Sequence, residues 1–364
     1  MIIRSLDYYE NKGKNNFWEI KEVHLSKQNI IVGLNATGKT RLTNVIKSLS
    51  AILSAKVKTN GNWSLTFENG NKKPVFYSLE INDNKIDCEL IKEGERVLLD
   101  RKGGAGIIYS EKDKEFHDFN PPIDELTINA RRDLAHYPFL ETFILWAKNV
   151  KGYSFSGVKN DQITIPNRPE GIFDSLTTVP YILKQVSNSQ EIVNRIIKDM
   201  NNIGYPIKTI SVVQQLLQPN LSNIFTVRLQ EKDLSCPTEQ NTISNGMFRA
   251  LCLIVITEYL LSIEKTGTII IDDLGEGLDF ERSSKLTRLL FEKTAQAALQ
   301  LIITSNDRFL INNVDMRNIN YLQRKGHSVQ AYNYERNKAL FDKFILSGLN
   351  NFDFLNQNLS HLKN

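Results

Sequence analysis

Apolar and polar positions along the chain follow two periods. Alternation at Trp63-Leu65-Phe67, at Val75-Tyr77-Leu79-Ile81 and at Ile86-Cys88-Leu90 predicts three half-buried strands separated by polar turns. Two unbroken β-prone runs, Asn29-Ile30-Ile31-Val32 and Thr268-Ile269-Ile270-Ile271, predict strands buried on both faces. Helical spacing takes over at Leu42, Val45, Ile46, Leu49 and Leu53. It returns from Pro138 to Val150 with Phe139, Phe143 and Trp146, and again at Ile192, Val193, Ile196, Ile197 and Met200. A further apolar helix holds Leu251, Leu253, Ile254 and Leu260. No stretch sustains heptads, so a long coiled-coil arm is not expected.

What joins the first buried strand to the first helix is Gly33-Leu34-Asn35-Ala36-Thr37-Gly38-Lys39-Thr40, followed by Arg41. Glycines at both ends let the backbone turn inward, so that successive N–H groups and the helix N-terminus face a phosphate chain. In that pattern Lys39 sits on the β and γ phosphates and Thr40 offers its hydroxyl to Mg²⁺. Strand, loop and helix stand in the required order, which a chance Gly-Lys-Thr turn does not explain.

The second buried strand runs into Asp272-Asp273-Leu274-Gly275-Glu276-Gly277-Leu278-Asp279. Taken alone, this is an acidic turn after a core strand. Beside the upstream loop, Asp272 becomes the partner of a Mg²⁺ held at Thr40, since a hard ion between phosphates takes one or two carboxylate oxygens. Asp273 becomes the candidate base. Roughly 230 residues separate Lys39 from Asp272, far more than one βαβ repeat requires, so a whole lobe is expected between them. Within that insertion Thr242-Ile243-Ser244-Asn245-Gly246-Met247-Phe248-Arg249 opens the apolar helix, and a Ser-x-Gly turn at a helix start suits an anion.

With these motifs in order, the chain resembles an ATP-binding-cassette ATPase of the RecF, SMC and OLD type. Ile243-Ser244-Asn245-Gly246-Met247 resembles the signature Leu-Ser-Gly-Gly-Gln, and Asp272-Asp273 with Leu278-Asp279 resembles the second nucleotide motif and its D-loop. Ile303-Thr304-Ser305-Asn306-Asp307-Arg308 falls where the family has its switch histidine, and Asn35 matches the Gly-x-Asn form of the loop. Asn129, before Arg131 and Arg132, lies in the region of the family's lid glutamine.

The resemblance implies an α/β ATPase head with a phosphate-loop nucleotide core, an antiparallel β layer and a helical lobe carrying the signature. The corresponding boundaries are an N-terminal lobe over 1–135, a helical lobe over 136–250 and a C-terminal lobe over 251–364. It implies ATP and Mg²⁺ as ligands and ATP hydrolysis as the reaction. It also implies a homodimer or higher oligomer in which Ser244, with Asn245 and Gly246, caps in trans the γ-phosphate held by the partner's loop. An unpaired helix N-terminus is physically suited to that task.

Two departures point to slow turnover. The catalytic glutamate of the family is Asp273 here, shorter by one bond of about 1.5 Å, and misplacement by about 1 Å costs on the order of a hundredfold. The switch histidine is Asn306, which hydrogen-bonds but carries no proton.

Composition narrows the picture. At 364 residues and 41% hydrophobic, the chain can bury a large core. No apolar run is read as long enough to span a bilayer, and Met1-Ile2-Ile3-Arg4 enters a strand-like pattern without a signal peptide, so a cytoplasmic protein with no membrane role is expected. Cys88, Cys236 and Cys252 have no pairing or metal spacing, and His24, His117, His136, His327 and His361 are read as scattered, which disfavours a zinc hydrolase. No acid cluster suggests a fused nuclease. A net charge of +4 from 45 basic and 41 acidic residues is near balance and gives no direct sign of nucleic acid. The tail from Phe341 to Leu355 is read as core packing rather than a docking segment.

Three functions follow: an ATP-driven switch controlling a separate effector such as a nuclease, in bacterial phage defence or genome maintenance; a RecF-like repair ATPase binding DNA itself; and a nucleotide-binding scaffold with little turnover.

Overall fold

The computed structural model describes residues 1–54, 57–70, 73–162, 165, 175–215, 224–263, 266–295 and 297–356; His361 lies outside them. The chain divides into two compact units, one built from Met1–Val150, Thr266–Thr268 and Val314–Asn364, the other from Lys151–Lys265 and Ile269–Asn313. The boundary passes inside two strands, β10 (Val150–Ser154) and β14 (Gly267–Asp272).

In the first unit the alternating segments form the strands their period predicts. They are part of β1 (Ile2–Glu10), β2 (Trp18–His24), β3 (Gln28–Val32), β4 (Gly61–Glu68), β5 (Val75–Asn82), β6 (Lys85–Glu93), β7 (Arg96–Lys102), β8 (Ala105–Tyr109) and β9 (Phe116–Phe119). With the returning strands β16 (Ile319–Lys325) and β17 (Ser328–Asn333), the sheet order is β3-β16-β17-β2-β1-β4-β5-β6-β7-β8-β9. β16 runs parallel to β3 and β17 parallel to β2, while β1 and β4 to β9 form an antiparallel layer. On β4 every second residue is buried, and Trp63 opposite Leu79 and Leu65 opposite Tyr77 make the cross-strand pairs.

One face of this layer receives helices. α1 (Lys39–Leu53) buries Leu42, Val45, Ile46, Leu49 and Leu53, and the Trp63 indole N–H donates to the carbonyl of Val45 at 3.2 Å. Beyond the short α2 (Thr127–Ala130), α3 (Pro138–Lys148) packs Phe143 and Trp146 edge-on against Phe67. The Ser50 hydroxyl donates to the Ala147 carbonyl at 2.8 Å, which ties α1 to α3. These contacts place α3 in the first unit, whereas the three-part sequence division assigned it to the signature lobe. The C-terminal residues join the same unit because Phe354 stacks with Tyr321 and Phe341, both fully buried. Part of that tail is α9 (Lys338–Leu346).

A buried ion pair braces the segment before α2. Glu89 and Arg101 are fully buried 3.8 Å apart, the Thr127 amide donates to Glu89 at 2.7 Å, and Arg101 donates to the Pro122 carbonyl at 2.7 Å. Burial pushes the Glu89 carboxyl above its ordinary range.

In the second unit β10, β14 and β15 (Leu299–Ser305) are neighbours in that order. A second sheet of β11 (Ile207–Gln215), β12 (Ile224–Glu231) and β13 (Thr238–Glu239) is antiparallel. Helices α4 (Val179–Val186), α5 (Gln190–Asn202), α6 (Asn245–Ser262), α7 (Phe280–Ala295) and the short α8 (Arg308–Asn312) complete it. The expectation that no apolar run reaches bilayer length needs correcting at α6, which is long and apolar enough by length and composition. It is 78% buried, and a helix hydrophobic on all sides is what the centre of a helical layer needs. Its one deep acid, Glu258, is paired with Arg195 of α5 and Lys293 of α7.

Candidate nucleotide-binding site

The phosphate loop lies wholly in the first unit, between β3 and α1. Gly33 is required sterically: a Cβ there would stand 2.4 Å from the Thr37 hydroxyl and 2.9 Å from the Leu322 carbonyl. Gly38 has φ of 102°, and Ala36 also takes a left-handed φ of 63°. The Thr37 hydroxyl donates to the Leu34 carbonyl at 2.8 Å, which closes the turn. Lys39 is buried, and its ammonium donates to the carbonyls of Gly33 at 2.9 Å and Leu34 at 3.3 Å. Leu34, Asn35, Ala36 and Thr40 are exposed, and Arg41 is half-buried.

At the start of α1 no side chain caps the helix and no acid occupies the first turn. A fifteen-residue helix with an uncapped N-terminus offers amides and a positive dipole end to an anion.

The remaining motif residues belong to the second unit. Asp272 ends β14 and is buried; its Oδ1 accepts the Thr304 hydroxyl at 2.6 Å. The same hydroxyl accepts the Asp273 amide at 2.9 Å, so Thr304 at the end of β15 bridges the two acids. Asp273 sits in the left-handed region at φ 57°, a conformation that Asp and Asn tolerate better than other side chains. One residue further, the Leu274 amide donates to the Thr304 carbonyl at 2.9 Å and the Ser305 hydroxyl donates to the Leu274 carbonyl at 2.8 Å. Asn306 follows as an exposed residue.

Ser244 is exposed and caps α6, accepting the Met247 amide at 3.3 Å. Asn245 is exposed and accepts the Asn160 amide at 3.0 Å. Gly246 is buried against the D-loop: a Cβ there would stand 2.5 Å from the Gly277 carbonyl. Arg249, one turn along and nine-tenths buried, fastens the same loops. It donates to the carbonyls of Glu276 at 2.9 Å, Val158 at 2.8 Å and Ser156 at 2.6 Å. Asp279 is exposed and accepts the Arg282 amide at 3.0 Å, an N–H bond that holds its carboxyl below the usual range.

Signature, D-loop, acids and switch therefore share one unit, while the phosphate loop and Arg41 share the other. Asn129 lies in α2 and lines a cavity of about 520 Å³ with Ile52, Ile86 and Leu126, among whose walls no phosphate-loop residue stands.

A family model described as "AAA domain, putative AbiEii toxin, Type IV TA system" matches residues 29–312, from β3 to the end of α8. The chain belongs to this AAA family. No curated protein matches it in sequence. Among solved structures, an SMC head bound to the C-winged helix domain of ScpA is similar at a TM-score of 0.56 and 13% identity, covering 93% of this chain and 99% of that one. An SMC head domain from Thermotoga maritima gives 0.45 at 12%, covering 92% and 99%. A head with an extended coiled coil, bound to the C-terminal domain of ScpA derived from Pyrococcus furiosus, gives 0.49 at 11%, covering 94% and 99%. The first likeness shows the fold: this AAA-family chain has the architecture of an SMC head.

An AAA ATPase takes a nucleotide and Mg²⁺, and each unit carries residues suited to them. In the first unit Gly33 and Gly38 shape a cradle that side chains would fill, the α1 terminus is uncapped and Thr40 carries a hydroxyl; in the second, Asp272 is a strand-end carboxylate, and each of these oxygens is a hard donor. Two residues with clear positions at these motifs carried no assignment in the sequence. Thr304 stands in the switch stretch and Arg249 in the stretch that opens the apolar helix, but residue order gives neither a role of its own. The histidines also need correcting: His117 and His136 both approach Asp113, at 3.4 and 3.5 Å, instead of being scattered. Among the described residues no group of three such side chains is arranged to hold a metal.

Proposed function

We propose that this chain is an ATP-dependent switch with slow hydrolysis, that two copies assemble around ATP, and that a separate effector protein reads the assembly. The observation that carries the proposal is the buried Lys39 ammonium, held by its own loop's carbonyls at the uncapped start of α1. A cation kept dry and oriented gains more from a phosphate than a solvated one does.

The loop amides and Lys39 bind the β and γ phosphates. Thr40 and Asp272 each carry a hard oxygen donor of the kind that holds Mg²⁺, which would neutralise phosphate charge when bound. Thr304 orients Asp272 by hydrogen bond and fixes the Asp273 backbone, so that the Asp273 carboxylate can accept a proton from the attacking water. Asn306 orients that water without carrying a proton. Ser244 acts on the partner copy's nucleotide: its oxygen already accepts the Met247 amide, and its hydroxyl proton can still be donated to a γ-phosphate oxygen. Asp279 is exposed in the D-loop segment.

Support for a protein effector comes from the SMC head found with a ScpA domain and from the toxin and type IV toxin–antitoxin wording of the family description. On this reading the chain works in the bacterial cytoplasm, in phage defence or genome maintenance, with a nuclease as effector. Light scattering with ATP and Mg²⁺, read beside phosphate release, tests it. A mass that doubles with ATP and falls as phosphate appears is expected; an unchanged mass overturns the switch.

A further inference from the structure

Beside the helical end of the phosphate loop the first unit holds a planar cation that the phosphate grip does not use. Arg41 follows Thr40 on the first turn of α1. Its guanidinium lies over the Trp18 ring at 4.1 Å, and its Nη2 is paired with Glu10 Oε1. The other Glu10 oxygen accepts the Tyr8 hydroxyl at 2.8 Å. Trp18 is buried at 2% exposure and reaches within 3.2 Å of where a Gly38 Cβ would stand, so this plate is built directly against the loop.

The guanidinium is thus fixed behind by an indole and at one edge by a carboxylate, while its side chain remains 42% exposed. A second phosphate cation would not be arranged this way, because Glu10 repels a phosphate and already occupies the guanidinium edge. A flat, ordered cation with one free face is suited to stacking on the π-face of a base. Trp18 and Glu10 have already removed most of the side-chain freedom that stacking would otherwise have to restrict. In a nucleotide whose β-phosphate lies at Lys39, the base is one phosphate and one ribose away, and Arg41 stands two residues beyond Lys39 in the same helical turn.

We propose that the outward face of Arg41 is the base platform of this site and that it selects a purine nucleotide by stacking. This rests on the phosphate-loop reading above. The test is calorimetric titration of the full chain with ATP, CTP and inorganic tripolyphosphate, in wild type, Arg41→Ala and Arg41→Lys. Wild type should prefer ATP to CTP. Both variants should lose about tenfold in ATP affinity, with tripolyphosphate unchanged within about twofold, because lysine keeps the charge but lacks the plane. Equal losses for ATP and tripolyphosphate, or full rescue by lysine, would show a charge acting on phosphate and overturn the platform. Wild type binding ATP no better than tripolyphosphate also overturns the platform alone. Failure of wild type to bind either ligand overturns the phosphate-loop reading on which it stands.

Discussion

The phosphate loop and the acid-and-signature region are organised in opposite ways. In the loop the key cation is buried and bound to its own backbone, and two glycines leave no room for another shape. In the second unit the backbone is equally constrained, through Thr304, Arg249 and the Gly246 to Gly277 approach, yet the side chains at its working end, Ser244, Asn245 and Asn306, are exposed. A rigid pocket suits a ligand that is always the same. A rigid frame presenting open side chains suits groups that complete a site elsewhere, and that contrast is why we assign binding to the loop and capping to Ser244 in trans.

The contrast breaks most severely at Lys39. Lys39→Ala should weaken ATP binding by about 30- to 150-fold, since a desolvated charge-assisted contact is worth about 2–3 kcal/mol; calorimetry beside a thermal melt separates lost binding from lost fold. Near-normal affinity would remove the loop from the site. Asp273→Asn should retain ATP, prolong the assembled state and slow phosphate release by about a hundredfold. The variant is clean because asparagine also accepts φ near 57°, and normal turnover would show that the base is another group. Next in size is Thr304→Val, which leaves the Asp273 amide without its acceptor. It should cost about 1–3 kcal/mol in denaturant midpoint analysis and slow turnover while leaving ATP affinity near wild type. A fall in affinity with no change in turnover would contradict the bridging role.

The smallest effect sharpens the comparison through pH. The Arg282 amide depresses the Asp279 carboxyl, so its contribution is fully present above the unfolded carboxylate value and is lost as pH falls through the lower folded value. Amide exchange at residues 279–283, corrected for intrinsic rates, should therefore quicken below about pH 4, with little change in the loop over 33–40. Uniform loosening of both regions would show that the D-loop turn is not separately held.

Much of this architecture is legible in residue order. Strands β4 to β6 follow from alternation, β3 and β14 from unbroken apolar runs, and α1 from its spacing, because each depends on local period and one buried face. The phosphate loop is legible because its glycines and lysine are contiguous. What escapes is whatever long-range packing assembles. The first unit draws in strands from residues 319–333, α3 belongs with β4 and α1 because Phe143 and Trp146 meet Phe67 and Ser50 bonds to Ala147, and His117 of β9 and His136 of a separate turn converge on Asp113. Thr304 escapes for the same reason: its value lies in a hydrogen bond to a strand 32 residues away. Arg249 escapes because its acceptors are backbone carbonyls, which leave no trace in side-chain pattern.

Trans capping is most directly tested by mixing two inactive chains, Lys39→Ala and Ser244→Ala, and measuring phosphate release. Replacing Ser244 also removes a helix cap worth about 1 kcal/mol, so thermal melts should first confirm that both variants are folded. In a mixed pair, one composite site joins an intact loop from the Ser244→Ala chain to an intact serine from the Lys39→Ala chain. Hydrolysis that returns on mixing, to a level neither variant reaches alone, is the expected result; a mixture no more active than its components would contradict capping across two copies.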